Sequence, residues 1–203
     1  MSESTHFSVD LETLGIGDQA LILSVAAVEF DPLSGNILRE FYLPVDYGED
    51  GAHASGAIDL STVLFWLKQP EKVRNRAFGN DPELPCPAPL MVVMHELGAF
   101  LQAGEGCGYR IWQRGDRDRV WIESACERSG VTFPFNWWDW RDQRTFCNEI
   151  LSTDWPARSD DLRHDALEDA KYQAQCVAAA YRRLRDGAEA MRALGISADE
   201  VQP

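Results

Sequence analysis

Four carboxylic acids and one histidine, far apart along the chain, carry the chemistry this sequence can do. Asp10 and Glu12 lie in His6-Phe-Ser-Val-Asp-Leu-Glu-Thr-Leu14, Asp118 lies near the middle, and His164 precedes Asp169 in His164-Asp-Ala-Leu-Glu-Asp-Ala170. An Asp-x-Glu pair on a strand points both side chains to one face, because strand side chains alternate with period two. Two carboxylates held close repel, and each raises the other's pKa unless a cation stands between them. A hard divalent ion with oxygen ligands relieves that repulsion. A histidine near a further acid adds a group that moves protons near neutral pH. Together these groups point to hydrolysis at phosphate.

The elements that must position them can be read from periodicity. Phe7 to Leu14 predicts a strand with Phe7, Val9 and Leu11 on one face and Ser8, Asp10 and Glu12 on the other, ending at Gly15 and Gly17. Leu21 to Phe30 predicts a well-buried second strand, Asp31 to Asn36 a turn, and Ile37 to Val45 a third strand pairing as an antiparallel hairpin. A loop follows over 46–60, then a short helix over Ser61 to Lys68 capped by Ser61, and a Pro-rich connector over 81–89. Leu90 to Ala103 has helical apolar spacing, Tyr109 to Trp112 reads as a strand, and Asp118 to Ser129 as a helix stopped by Gly130. Phe133 to Trp140 holds two Phe and three Trp, which pack on the core or offer rings to bases. Arg141 to Leu151 begins a further helix, Asp165 to Leu184 forms the last long one, and an Ala-rich helix near Ala188 to Ala193 leads to a polar tail. This order predicts an α/β fold with a mixed five-stranded sheet, its first three strands antiparallel, flanked by helices.

Composition bounds the rest. The 203 residues, 45% hydrophobic and 26% charged, fit one domain, with a core over about 7–185 and a C-terminal helix and tail over 186–203. No apolar run approaches the roughly 20 residues of a membrane span, and the N-terminus lacks the build of a secretory signal. The five cysteines show no zinc-like spacing and fit reduced thiols, so a cytoplasmic protein is expected. A net charge of −14 argues against a broad basic surface for duplex nucleic acid. Local positive charge is available, however, at Arg110, Arg114, Arg117 and Arg119 around Asp118, unless these are solvated loop arginines.

Singly, each acid has a plainer reading: Asp10 and Glu12 as solvent-facing strand residues, Asp118 as a helix N-cap, Asp169 as a surface helical acid. In their joint order the chain resembles the DEDDh 3′–5′ exonucleases, the DnaQ-like branch of the ribonuclease H-like superfamily, over about residues 7 to 180. Asp10-x-Glu12 is similar to the first motif and His164-Asp-Ala-Leu-Glu-Asp169 to the third. Ala166, Ala170, Gln173-Ala174 and Arg141-Asp-Gln-Arg-Thr-Phe146 resemble the phage DexA-type and mycobacterial exoribonuclease-like subgroup. The second motif departs: Trp112-Gln-Arg-Gly-Asp-Arg-Asp-Arg119 stands where the family has Trp-Gly-Asn-Gly and later Phe-Asp. Asp118 fits best as its acid, because Val120, Ile122 and Ala125 then take the helix's apolar positions, with Asp116 as the alternative.

The resemblance implies two Mg²⁺ or Mn²⁺ ions held by Asp10, Glu12, Asp118 and Asp169. It also implies that His164, in the loop before the last long helix, takes the proton of the attacking water. The reaction implied is release of mononucleotides from 3′ ends of single-stranded RNA or DNA, RNA slightly favoured, without a membrane and with a homodimer as one expectation. Backbone N–H groups at Thr13 and Leu14 would hold the terminal 3′-OH, Leu14 would wedge the last base, Phe65 or Trp66 would stack on a base, and Arg114 would contact a phosphate. Core packing is the competing reading for both aromatics. The competing reading of the whole is a nucleic-acid-binding or interaction module that has lost a metal site.

Overall fold

The computed structural model describes residues 4–46, 48, 56–104, 108–158 and 163–193. Cys107, most of the expected loop over 46–60 and the polar tail lie wholly or partly outside them. Strands β1 (Thr5–Thr13), β2 (Ile22–Phe30) and β3 (Ile37–Asp46) form an antiparallel meander. The hairpin between β2 and β3 closes as its turn residues direct: the Asp31 carboxylate accepts from the N–H of Leu33 and Ser34 at 2.9 and 2.6 Å. Gly35 supplies the left-handed step with φ 79°. Strand β4 (Ala88–Pro89) pairs parallel to β3, while β5 (Tyr109–Gln113) and β6 (Trp140–Asp142) extend the other side, parallel to β1. The order is β4-β3-β2-β1-β5-β6. The fifth expected strand forms at Trp140–Asp142, overlapping the start expected for the next helix at Arg141, and the two-residue β4 adds a sixth at the opposite edge.

Every residue of β2 is buried, as a central strand covered on both faces requires. On one face Phe7, Val9 and Leu11 of β1 meet Val93, Met94, Leu97 and Leu101 of α3 (Leu90–Gln102) and Ile122 of α4 (Arg117–Ser129). On the other, Phe30 and Trp112 meet Cys147 and Leu151 of α5 (Gln143–Leu151) and Ala170, Ala174 and Val177 of α6 (Ala166–Ala193). A third cluster gathers Leu14, Leu21 and Leu23 under α1 (Leu60–Trp66) and α2 (Glu71–Ala77).

Several expectations need correction. Helix α2, which follows Pro70, was not foreseen. Helix α1 starts at Leu60, so Ser61 lies inside it, and the preceding Asp59 spends its carboxylate on the N–H of Ile16 at 2.8 Å. The separate Ala-rich helix does not exist, because α6 runs unbroken through Gly187 to Ala193. Of the aromatic stretch, Phe133, Phe135 and Trp140 pack on the core, whereas Trp137 and Trp138 are 70% and 54% exposed on a 3₁₀ turn. Among the described residues no helix is long and apolar enough to cross a membrane.

Candidate active site

Asp10 and Glu12 face the α6 side of the sheet, since Leu11 between them is spent on the opposite core. The β1–β2 register shifts between Glu12 and Thr13, and such bulges re-aim side chains beside functional sites. Helix α6 answers from across the gap. Its first turn carries Asp169, and Gln173 lies one turn further on the same face. The Gln173 amide nitrogen donates to Asp10 Oδ1 at 2.7 Å while its oxygen accepts from the Ser8 hydroxyl at 3.5 Å. Strand and helix are thus stitched together at the carboxylates.

Asp165 sets where α6 begins. Buried and 1% exposed, it accepts from the Glu168 N–H at 3.0 Å as a helix cap and from Arg76 Nε of α2 at 2.5 Å. His164, immediately before it, has the left-handed backbone φ of 67°, uncommon outside glycine. That conformation turns its own N–H onto the Asp169 carboxylate. The imidazole is braced edge-on by Phe65, ring centroids 4.9 Å apart.

Asp118 is the second residue of α4 and is buried, with the backbone N–H groups of Leu11 and Arg114 near enough to favour its charged form. It lies inside the helix rather than at its N-cap, which is Asp116. Asp116 is exposed on the outer side, so the altered second motif still delivers an acid to the centre, and that acid is Asp118. An open cleft of about 270 Å³ is lined by Asp10, Glu12, Asp118, His164 and Asp169, together with Arg114, Arg117 and Trp121. Trp121 donates its indole N–H to the Gly17 carbonyl at 2.8 Å, and Arg117 pairs with Asp18 at 2.8 Å, fixing the loop that forms one lip.

The other expected contacts divide. Arg114 lines the cleft, and Phe65 adjoins it through its edge-on contact with the His164 ring. Trp66 turns inward, 2% exposed, with its indole N–H on the Thr13 carbonyl at 2.9 Å, so it offers no open face to a base. The Leu14 N–H is taken by the Leu21 carbonyl at 2.8 Å and its side chain packs beside Trp66, leaving neither for a 3′-OH or a terminal base. The Thr13 hydroxyl donates to the Gly15 carbonyl at 2.8 Å, a bond that leaves the expectation for its backbone N–H untouched. Gln173, Asp165 and Arg158, which pairs with Asp169, were missed. For Gln173 the signal was its place four residues after Asp169 on one helix face.

Burial, then repulsion among the acids, sets the electrostatics. Both causes hold Asp10 and Glu12 well above the ordinary carboxylate range. Burial pushes Asp118 up to about 7, against the pull of its backbone donors, and Asp169 to about 6, against the pull of Arg158. His164 is drawn down by burial and by Arg163 and Arg158. A cluster of oxygen donors that resists ionising when bare fits a hard divalent cation. One ligand atom each from Glu12, His164 and Asp169 lies within 4.8 Å of the others.

A stability prediction follows from these signs. Acids whose folded pKa exceeds the unfolded value of 3.8 stabilise the fold only while protonated, and that stability is lost as pH rises through the folded pKa. His6, buried at the other end of β1 against Tyr181 with its pKa lowered to about 4, contributes the opposite slope, but only below its ordinary 6.5. In EDTA the melting temperature should therefore fall by about 2–4 °C from pH 6.5 to 8.5, most of it by pH 7.5 as Asp118 ionises. Mn²⁺ at pH 8.5 should restore it. A flat profile in EDTA over that window would remove the argument.

The fold is shared with exonuclease I. One solved structure of exonuclease I matches with a TM-score of 0.61 at 15% identity, covering 94% of this chain and 44% of that one. The zinc-ion-bound E. coli ExoI–ssDNA complex matches with a TM-score of 0.60 at 14% identity, covering 92% and 42%. The E. coli complex with a 5cy-dA13 oligonucleotide gives 0.59 at 15%, covering 94% and 44%. The chain thus spans less than half the length of these proteins. No curated protein sequence matches it. The sequence model of the 3′-5′ exoribonuclease Rv2179c-like domain matches residues 5–181. With that span covering most of its length, the chain belongs to the Rv2179c-like 3′-5′ exoribonuclease domain family.

Proposed function

We propose that this exonuclease removes nucleoside monophosphates from the 3′ end of single-stranded nucleic acid at a divalent-metal centre, with RNA slightly favoured over DNA. The convergence of Asp10, Glu12, Asp118, Asp169 and His164 on one cleft carries this reading. Asp10, Glu12, Asp118 and Asp169 would hold two Mg²⁺ or Mn²⁺ ions. Such ions, when bound, stabilise charge on the attacking and leaving oxygens of the phosphodiester. His164, neutral because burial and two arginines draw its pKa down, accepts the proton of the attacking water. Its backbone contact with Asp169 keeps the base and the acids in one frame. Gln173 holds Asp10 in a single orientation.

At the rim, Phe65 offers a half-exposed ring on which a base can stack, an interaction worth about 1–3 kcal/mol. Arg114 supplies positive charge for the strand's phosphates. With a net charge of −14, the protein attracts the strand through such local contacts rather than through its overall field. The lean to RNA draws on the family's exoribonuclease description. The free thiols of Cys86, Cys126, Cys147 and Cys176 fit a reducing cytoplasm. The exposed Trp137 and Trp138 are the face a homodimer would bury.

Matched RNA and DNA oligomers labelled at the 5′ or the 3′ end test the reading. With Mn²⁺, the 3′ label should leave at once as mononucleotide, while the 5′ label passes through a ladder of shortened strands. EDTA should stop both. Mid-chain cutting, or release indifferent to EDTA, would overturn it.

A further inference from the structure

Beside one of the four carboxylates stands a guanidinium. Arg158 donates through Nη2 to Asp169 Oδ1, and its guanidinium carbon lies 4.9 Å from the centre of the Tyr172 ring. The Tyr172 hydroxyl in turn donates to the Pro156 carbonyl at 3.2 Å, so the stretch that carries Arg158 is clipped onto α6. Both charged side chains are largely withdrawn from water, 17% and 16% exposed. Such a pair is not the loose surface kind that contributes little. Stacked and nearly dry, the guanidinium is an ordered cation facing an acidic cleft.

Asp169 is also one of the three residues whose ligand atoms lie within 4.8 Å of one another. The same carboxylate therefore has two suitors. A divalent ion beside Asp169 and a guanidinium on that carboxylate are like charges within a few ångströms, in a setting where water screens them weakly. Without an ion, Glu12 and Asp169 face each other, and Arg158, paired with Asp169, is the positive charge beside them.

We propose that Arg158 is a built-in counter-ion: it neutralises Asp169 while divalent metal is absent and yields that carboxylate when metal binds. Opening of the Arg158–Asp169 pair and loading of the centre are then one event. Apparent metal affinity is weakened by the competition, and the empty centre is spared the full repulsion of its acids. The inference rests on the reading of the cluster as a metal centre and goes beyond it by giving the metal a resident competitor.

Arg158→Gln, which removes the charge and keeps much of the length, provides the test through two readouts that need no turnover. In EDTA at pH 8 the variant should melt about 5 °C or more below the parent. In saturating Mn²⁺ the deficit should shrink to about 1 °C, and calorimetry should show Mn²⁺ binding about tenfold tighter than in the parent. Arg158→Lys keeps a charge but loses the fork and the stacking, so it should fall between the two and serves if the glutamine variant does not fold. A deficit of equal size with and without Mn²⁺ would make the pair merely structural and overturn the proposal. Weaker Mn²⁺ binding in Arg158→Gln would overturn it too, since Arg158 would then be orienting Asp169 for the ion. Failure of the parent itself to take up Mn²⁺ would instead strike the metal-centre reading, and this proposal would fall with it.

Discussion

Replacing Asp10 with asparagine is expected to abolish nucleotide release, by about 10³-fold or more, and at the same time to raise the melting temperature of the metal-free protein. The loss of activity reflects a group that works only as part of a set, so removing one member costs nearly as much as removing several. The gain in stability has a separate cause. Asp10 is buried, and Asp118, Asp169 and Glu12 all push its carboxyl toward the neutral form. Its folded pKa lies above its unfolded one, so at neutral pH and above its ionised form subtracts from stability. Asparagine keeps the shape and still accepts from Gln173 through its amide oxygen, while the charge is gone. A rise of about 3–8 °C in EDTA at pH 8 is expected, shrinking or reversing in saturating Mn²⁺ as the parent gains more from the ion. An Asp10→Asn protein that still degrades strands, or that melts lower than the parent in EDTA, would contradict the account of the cluster.

Replacing His164 with alanine should lower kcat by about 10²–10⁴-fold while leaving the heat of Mn²⁺ binding close to that of the parent. The pH profile separates a base from a ligand. In the parent, the rate should climb along an acid limb whose midpoint falls below the ordinary 6.5, because burial and then Arg163 and Arg158 favour the neutral ring. In His164→Ala that limb should vanish, and added imidazole should return part of the rate. The ring also lies close enough to Glu12 and Asp169 to ligate an ion. A tenfold or greater loss of Mn²⁺ affinity in the variant would assign it that role and remove the general-base assignment.

How far the site could be read in advance differs from residue to residue. Asp10 and Glu12 were legible because a strand's alternation is visible in Phe7, Val9 and Leu11. The His164–Asp169 spacing was legible as order along the chain, and the capping by Asp165 explains why the helix starts between them. Asp118 was favoured over Asp116 because Val120, Ile122 and Ala125 then take the apolar positions of the helix, and Ile122, Ala125 and Asp118 are buried while Asp116 is exposed. Phe65 and Trp66 were indistinguishable in type. The Thr13 carbonyl, 53 residues away, selects the indole for the interior. Arg76–Asp165 and Arg158–Asp169 could not be seen at all, since an ion pair between distant segments leaves no local pattern. The short helix α2 hid for a different reason. Only Val73 and Ala77 of its seven residues are buried, too few to stand out as a period. At the other extreme, α6 runs on past Leu184, where the long helix was expected to end, and through Gly187, a residue that disfavours helix by about 1 kcal/mol.

The bulge after Glu12 makes the first strand a ruler. Asp10 and Glu12 are spaced by the pitch of extended backbone, roughly 7 Å between their α-carbons, and not by any adjustable rotamer. Losing one residue between Val9 and Thr13 would do more than shorten a segment. It would exchange the two faces, driving a carboxylate into the layer now filled by Leu11 and a leucine into the cleft. Substitutions that lengthen or shorten a side chain here can be offset by small shifts, but an insertion or deletion cannot. Natural variation at these positions should therefore be confined to replacements, with length changes admitted only past the irregularity, toward Gly15 and Gly17.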